Sequence, residues 1–239
     1  MTKLEGKRIL VIGGTSGFGK QIAKQALKEE AFVQVIGRNE KRLQNMLQSI
    51  NNNNLCGKTF DAQDQVQLKE FFENQSSYDH IVSMLGGAMS GGFLENSIET
   101  VRQTIEDKFF ANLQLIKVAH PFLRKNGSFI FTSGTGGHPS TASGAIVGNN
   151  AINALVVGTA IELAPYYRVN AVAPTWTPTG LWNDLTPVAL KETEKNVAAN
   201  IPLKKVATTA EVASAYLYLM TNDFITGQII NVDGGTSAL

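Results

Sequence analysis

The chain has 239 residues, of which 43% are apolar and 17% charged, enough for the core of one domain and too apolar for a disordered chain. Lys and Arg number 21 against 20 Asp and Glu, without a block of like charge, so nucleic acid and anionic membrane surfaces have no electrostatic footprint to meet. A single cysteine excludes an internal disulfide and a thiolate metal centre, and no metal is expected.

Residues 1–7 are polar and lead straight into a strand pattern, which is not the layout of a secretory signal. No apolar stretch reads as approaching the ~20 residues of a membrane span. A cytoplasmic protein without membrane or nucleic-acid partners is expected. Arg8–Ile12 is a continuous apolar run closed by glycines, the pattern of a strand buried on both faces. Residues 19–30 carry Ile22, Ala23, Ala26 and Leu27 at helical spacing. A second strand is predicted over 32–36, and Asn39 caps a helix bearing Leu43, Met46, Leu47 and Ile50. The asparagine run 51–54 is a loop. Further strands are predicted at 58–60, 80–84, 128–131, 169–172 and Ile229–Val232, with the clearest remaining helices at 101–122 and 145–164. No repeat or linker divides residues 1–239. The alternation predicts an α/β fold, one doubly wound parallel sheet of the Rossmann type with helices on both faces.

The first strand-to-helix turn reads Gly13-Gly14-Thr15-Ser16-Gly17-Phe18-Gly19. Glycines there let the backbone approach a pyrophosphate, whose charge meets the free N–H groups of a helix N-terminus. The G-x-x-x-G-x-G spacing resembles that of the short-chain dehydrogenase/reductase family. Three later segments extend the resemblance over nearly the whole chain: Phe60-Asp61, Arg168-Val169-Asn170-Ala171-Val172-Ala173-Pro174, and residues 226–235, ending Asn231-Val232-Asp233-Gly234-Gly235. It implies a nicotinamide cofactor held by Gly13, Thr15, Ser16, Gly17, Phe18 and Gly19. Asp61 is then expected at the adenine, and Gly86, Pro174, Thr177 and Thr179 towards the nicotinamide half. The second strand ends Val35-Ile36-Gly37-Arg38 with no carboxylate to bind a ribose hydroxyl. A guanidinium there would grip a 2′-phosphate, so NADPH is expected.

The resemblance also implies a catalytic serine, a tyrosine and lysine four residues apart, and an assisting asparagine. Ser133 matches the serine. The tyrosine and lysine positions fall on Ala145 and Asn149, and the asparagine position on Lys108. No Tyr-x-x-x-Lys occurs anywhere in the chain. Losing a positioned general acid removes ~10²–10⁴ in rate, which a simple ketone reductase should not tolerate. Conjugate hydride addition tolerates it better, because its enolate can be held by hydrogen bonds and a cation. Lys108, Ser133 and Asn149 are therefore the expected catalytic set, acting on a small carbonyl substrate of enone type. His138 is a lesser candidate proton source, and Trp176, Trp182 and Phe93 a candidate apolar lid. A non-redox isomerase or lyase, or an NADPH-binding sensor, are the alternatives. Apolar residues on several faces of the 101–122 and 145–164 helices predict a homo-oligomer, dimer or tetramer.

Overall fold

The computed structural model describes residues 3–182 and 185–239; Met1 and Thr2, at the head of the expected polar start, lie outside them. In chain order, β1 (Arg8–Ile12) leads into α1 (Gly17–Lys28), and β2 (Phe32–Gly37) into α2 (Glu40–Ile50). Next come β3 (Leu55–Thr59), α3 (Gln65–Glu73) and β4 (Tyr78–Ser83). A long interrupted helix follows: α4 (Ile98–Ile105), a π turn (Glu106–Phe110) and α5 (Ala111–Ala119). Then β5 (Leu123–Thr132), α6 (Ser143–Glu162), β6 (Arg168–Pro174), α7 (Pro187–Asn200), α8 (Thr209–Thr221) and β7 (Ile229–Val232) complete the chain. The strands form one parallel sheet in the order β3-β2-β1-β4-β5-β6-β7.

Two apolar layers sandwich this sheet, as a doubly wound fold requires. Ile22, Ala26 and Tyr216 of α1 and α8 bury Val11, Val35 and Val172 on one face. Phe71, Leu115, Ile152 and Val156 of α3, α5 and α6 bury Leu10, Ile36, Ile81 and Phe131 on the other. Such strands must be apolar on both sides, which explains the continuous run of residues 9–12 in β1. Two polar residues of β6 enter the core with partners. Arg168 opens β6 and donates to the carbonyls of Leu219, Met220 and Ile225, satisfying the C-terminal end of α8. Asn170 donates to Ile225 O and accepts from the Gln228 amide, which fixes the approach to β7.

Several element boundaries differ from the sequence expectation. The third strand starts at Leu55, three residues early, because β2 pairs with it from Val33 onward. Strand β5 begins at Leu123, through a polar stretch that carries no strand pattern. The expected 101–122 helix is broken by the π turn and closes in a 3₁₀ turn at His120–Phe122. Helix α6, at 20 residues, is long and apolar enough by length and composition to cross a membrane, contrary to the expectation; here it packs on β6 and α4.

Candidate functional site

Strand order reverses between β1 and β4, and loops leaving their C-terminal ends part there to open a cleft of about 790 Å³. Ligands of open α/β sheets bind at this position. One end is a glycine cradle. Gly13 (φ +77°) and Gly17 (φ +50°) adopt backbone conformations that favour glycine, and a Cβ on Gly19 would stand 2.5 Å from Gly13 O. Ser16 occupies the N-cap of α1 without a side-chain capping bond. The first-turn N–H groups of α1 thus remain without an intrahelical partner, beside the cleft. The cradle fits the pyrophosphate of a dinucleotide.

Of the residues expected at a cofactor, Gly13, Ser16, Gly17, Phe18, Gly19 and Arg38 line this end of the cleft. Gly86, Pro174, Thr177 and Thr179 line the same cleft, with Thr179 standing against Gly17. Two expectations do not reach it. Thr15 is buried behind the cradle against Gly37, where its side chain fills the space that a Cβ would need. Asp61 turns into its own loop, accepting from the Gln63 amide, and is absent from the lining. Arg42, which the sequence reading missed, joins Arg38 at the cleft mouth because it lies in the first turn of α2, capped by Asn39. The signal was its place four residues after Arg38.

At the far end, Lys108 sits in the middle of the π turn and is 8% exposed. Its stem runs between Gly148, whose Cβ would lie 3.1 Å from Lys108 Cβ and Cγ, and Gly86 (φ +114°). The amine reaches the cleft. No carboxylate pairs with it among the described residues, and burial alone lowers its pKa to about 8. Asn112, a residue the sequence reading passed over, supports the π turn from beneath. Its amide donates to Lys108 O at 2.6 Å and its oxygen accepts from Ser83 Oγ at 2.6 Å.

Ser133 follows β5 and lies in the same corner with Ala145 and Asn149. Its hydroxyl faces two acceptors of α6, Asn153 Oδ1 at 2.7 Å and Asn149 O at 3.2 Å. With its hydrogen engaged there, Ser133 offers the cleft an acceptor rather than a donor. The Asn149 amide packs on Gly134, where a Cβ would stand 2.7 Å from its nitrogen. Trp176 and Trp182 line the cleft with ring centroids 5.6 Å apart, and Trp182 Nε1 donates to Thr177 O. Phe93 and His138 are not in the lining. Phe93 is half exposed, and His138 Nδ1 accepts from the Ser140 amide in an exposed turn. No group of three or more His, Cys, Asp or Glu residues able to hold a metal occurs among the described residues.

Comparison with known proteins gives the same frame. The family model described as enoyl-(acyl carrier protein) reductase matches residues 13–237. A tropinone reductase homolog from Arabidopsis thaliana is 32% identical, over 97% of this chain and 92% of its own. A short-chain dehydrogenase/reductase from Stachybotrys chlorohalonatus is 31% identical over 98% of both. Among solved structures, a Thermoplasma acidophilum aldohexose dehydrogenase superposes with a TM-score of 0.87 at 23% identity, covering 100% of this chain and 96% of that one. A small-chain dehydrogenase in complex with NADPH has a TM-score of 0.83 at 26% identity, covering 98% and 100%. With the glycine cradle at the β1–α1 turn and the cleft at the switch point, these matches place the chain in the short-chain dehydrogenase/reductase family of oxidoreductases.

Proposed function

We propose that the protein is an NADPH-dependent reductase of a small conjugated carbonyl, an enone or close relative, in which Lys108 stabilises charge on the substrate oxygen. The observation that carries this reading is an amine pressed into the cleft with no carboxylate beside it among the described residues. Family members employ a tyrosine and lysine on α6, where this chain has Ala145 and Asn149. In this it resembles the NADPH-dependent enone reductase of bacilysin biosynthesis.

The residues fit that cofactor: α1 and its glycines would hold the pyrophosphate, Arg38 and Arg42 the 2′-phosphate, and Thr177 and Thr179 the nicotinamide end. Bound NADPH supplies the hydride. As the β-carbon of the enone accepts it, the π electrons move to the carbonyl oxygen. Lys108, protonated below about pH 8, faces that growing charge. A preorganised donor of this kind contributes ~3–4 kcal/mol to the transition state. Asn149 adds an amide donor beside it, and Ser133, held by Asn153, accepts from Lys108. Trp176 and Trp182 give the conjugated plane an apolar wall. Water then protonates the α-carbon, so no side-chain acid is required at Ala145.

The same reading takes the exposed apolar residues Phe110, Val147, Val157 and Ile161 as a subunit interface, in a cytoplasmic homodimer or homotetramer.

The test is a set of enones and matched simple ketones incubated with NADPH, following cofactor absorbance and product together. NADPH consumption matched by saturated product from the enone, and not from the ketone, is expected. Conversion without NADPH consumption would replace the reading with an isomerase or lyase. Binding of NADPH without any conversion would replace it with a sensor.

A further inference from the structure

At the opposite edge of the sheet, where the strands begin, the starts of β1, β2 and β4 frame a second cavity of about 350 Å³. That is within the usual range for a small-ligand site, ~300–1,000 Å³. Its walls are apolar: Ile9, Val33, the buried Tyr78 ring and Phe32, which is half exposed. Its charge is positive. The Arg8 guanidinium lies 5.5 Å above the centre of the Tyr78 ring and has no ion-pair partner among the described residues. Arg124 is held at the rim by Asp79, 3.0 Å away. Asp79 already serves Arg124, Lys7 and the Arg8 backbone amide. Gln34 spends its carbonyl oxygen on the Tyr78 hydroxyl at 2.7 Å, which leaves its amide hydrogens as donors.

We propose that this cavity is a second ligand site, distinct from the nucleotide cleft, for a small carboxylate carrying an apolar body. The carboxylate would take paired hydrogen bonds from Arg8, with Arg124 and the Gln34 amide beside it. The apolar body would cover the exposed ring of Phe32. An unpaired guanidinium over an aromatic floor recognises this class of molecule, and charge or apolar body alone satisfies only half of the cavity.

Cys56, the only cysteine of the chain, lines the same cavity and reports on it. Its side chain is exposed at the cavity, so an alkylating reagent reaches it and a ligand seated there would cover it. The full chain is alkylated with N-ethylmaleimide and followed by mass spectrometry in the presence of phenylacetate, phenylethanol or acetate. Each arm is run with and without saturating NADPH. At ten times its Kd, phenylacetate fills about nine-tenths of the sites and should slow alkylation about tenfold. Phenylethanol and acetate at the same concentration should slow it less than about twofold. Arg8→Gln and, separately, Arg124→Gln should each reduce the protection, measured as the ratio with and without phenylacetate within each variant. Absence of protection would overturn the proposal, as would equal protection by phenylethanol or acetate. Protection abolished by NADPH would assign the ligand to the cleft and overturn it too.

Discussion

Lys108 and Gly86 are packed so closely that a Cβ on the glycine would overlap the Cδ of the lysine. Gly86 also holds φ at +114°, where side chains are rarely tolerated. The glycine that turns the chain out of β4 therefore doubles as the slot through which an amine reaches the cleft. The slot explains how a lysine can be 8% exposed and still present its charge to the site.

Burial that lowers the pKa of Lys108 from 10.5 to about 8 is a stability cost as well as a chemical setting. Below about pH 8 both folded and unfolded states carry the proton, and the full desolvation penalty, of order 3 kcal/mol, is present. Between about 8 and 10.5 the folded state gives up its proton first, so the penalty fades as pH rises. Lys108→Met should raise the urea midpoint at neutral pH, with the gain shrinking across that window. Under the proposed function it should also lower turnover by roughly a hundredfold while leaving NADPH affinity nearly unchanged. Wild-type turnover should decline above about pH 8. A variant with full turnover would remove Lys108 from the chemistry.

Arg38 and Arg42 flank the cleft mouth together. Each charge-assisted hydrogen bond to a phosphate contributes ~1.5–3 kcal/mol, so Arg38→Ala should weaken NADPH about tenfold or more and NADH hardly at all. Arg42→Ala should act in the same direction, and calorimetric titration of both cofactors checks the pair. Equal losses for NADPH and NADH would show that neither arginine reads the phosphate.

The Ser133 hydroxyl is aimed by Asn153, one turn beyond Asn149 on α6. Asn153→Leu removes the nearer acceptor, a hydrogen bond of ~0.5–1.5 kcal/mol. Under the proposed function, kcat should fall by up to about tenfold with little change in the KM for NADPH. Asn153→Asp retains the acceptor and should recover most of the rate. A loss of stability in Asn153→Leu with kcat intact would reduce Asn153 to a packing role.

His80, in the middle of the sheet beside Ser128 Oγ at 2.9 Å, has its pKa lowered from 6.5 to about 3 by burial first and the Arg168 charge second. The unfolded chain therefore takes up a proton below pH 6.5 that the folded chain refuses until about pH 3. Stability should fall with acidification across that window, by up to about 1.4 kcal/mol per pH unit from this group. Urea midpoints measured down the window should show the slope, and His80→Asn should flatten it.

Much of this architecture is legible in sequence because the same physics sets both. β1 and β7 match their expected bounds: β1 is a short apolar run buried on both faces and closed by glycines, and β7, a half-buried edge strand, is closed by Gly234 and Gly235. The glycine loop is legible because only glycine fits the cradle at Gly13, Gly17 and Gly19. The polar start of β5 is not, because Leu123 pairs with Tyr78 across a register shift that depends on β4. Nor is Asn153, whose partner Ser133 lies 20 residues away. The side-chain directions of Thr15 and Asp61 are not legible for a related reason: motif position names a residue, but local packing and a turn decide where its side chain goes.

The π turn at Glu106–Phe110 holds one residue more than an α-helix would use over the same distance. Residues on either side are thereby fixed in two independent registers, Lys108 to the cleft and Asn112 to β4. Deleting any one residue of the turn would rotate one half of the helix against the other by about 100°. Either the amine would leave the cleft or Leu115 and Ile116 would leave the core. Within this segment the chain should accept many substitutions at exposed positions and almost no change of length.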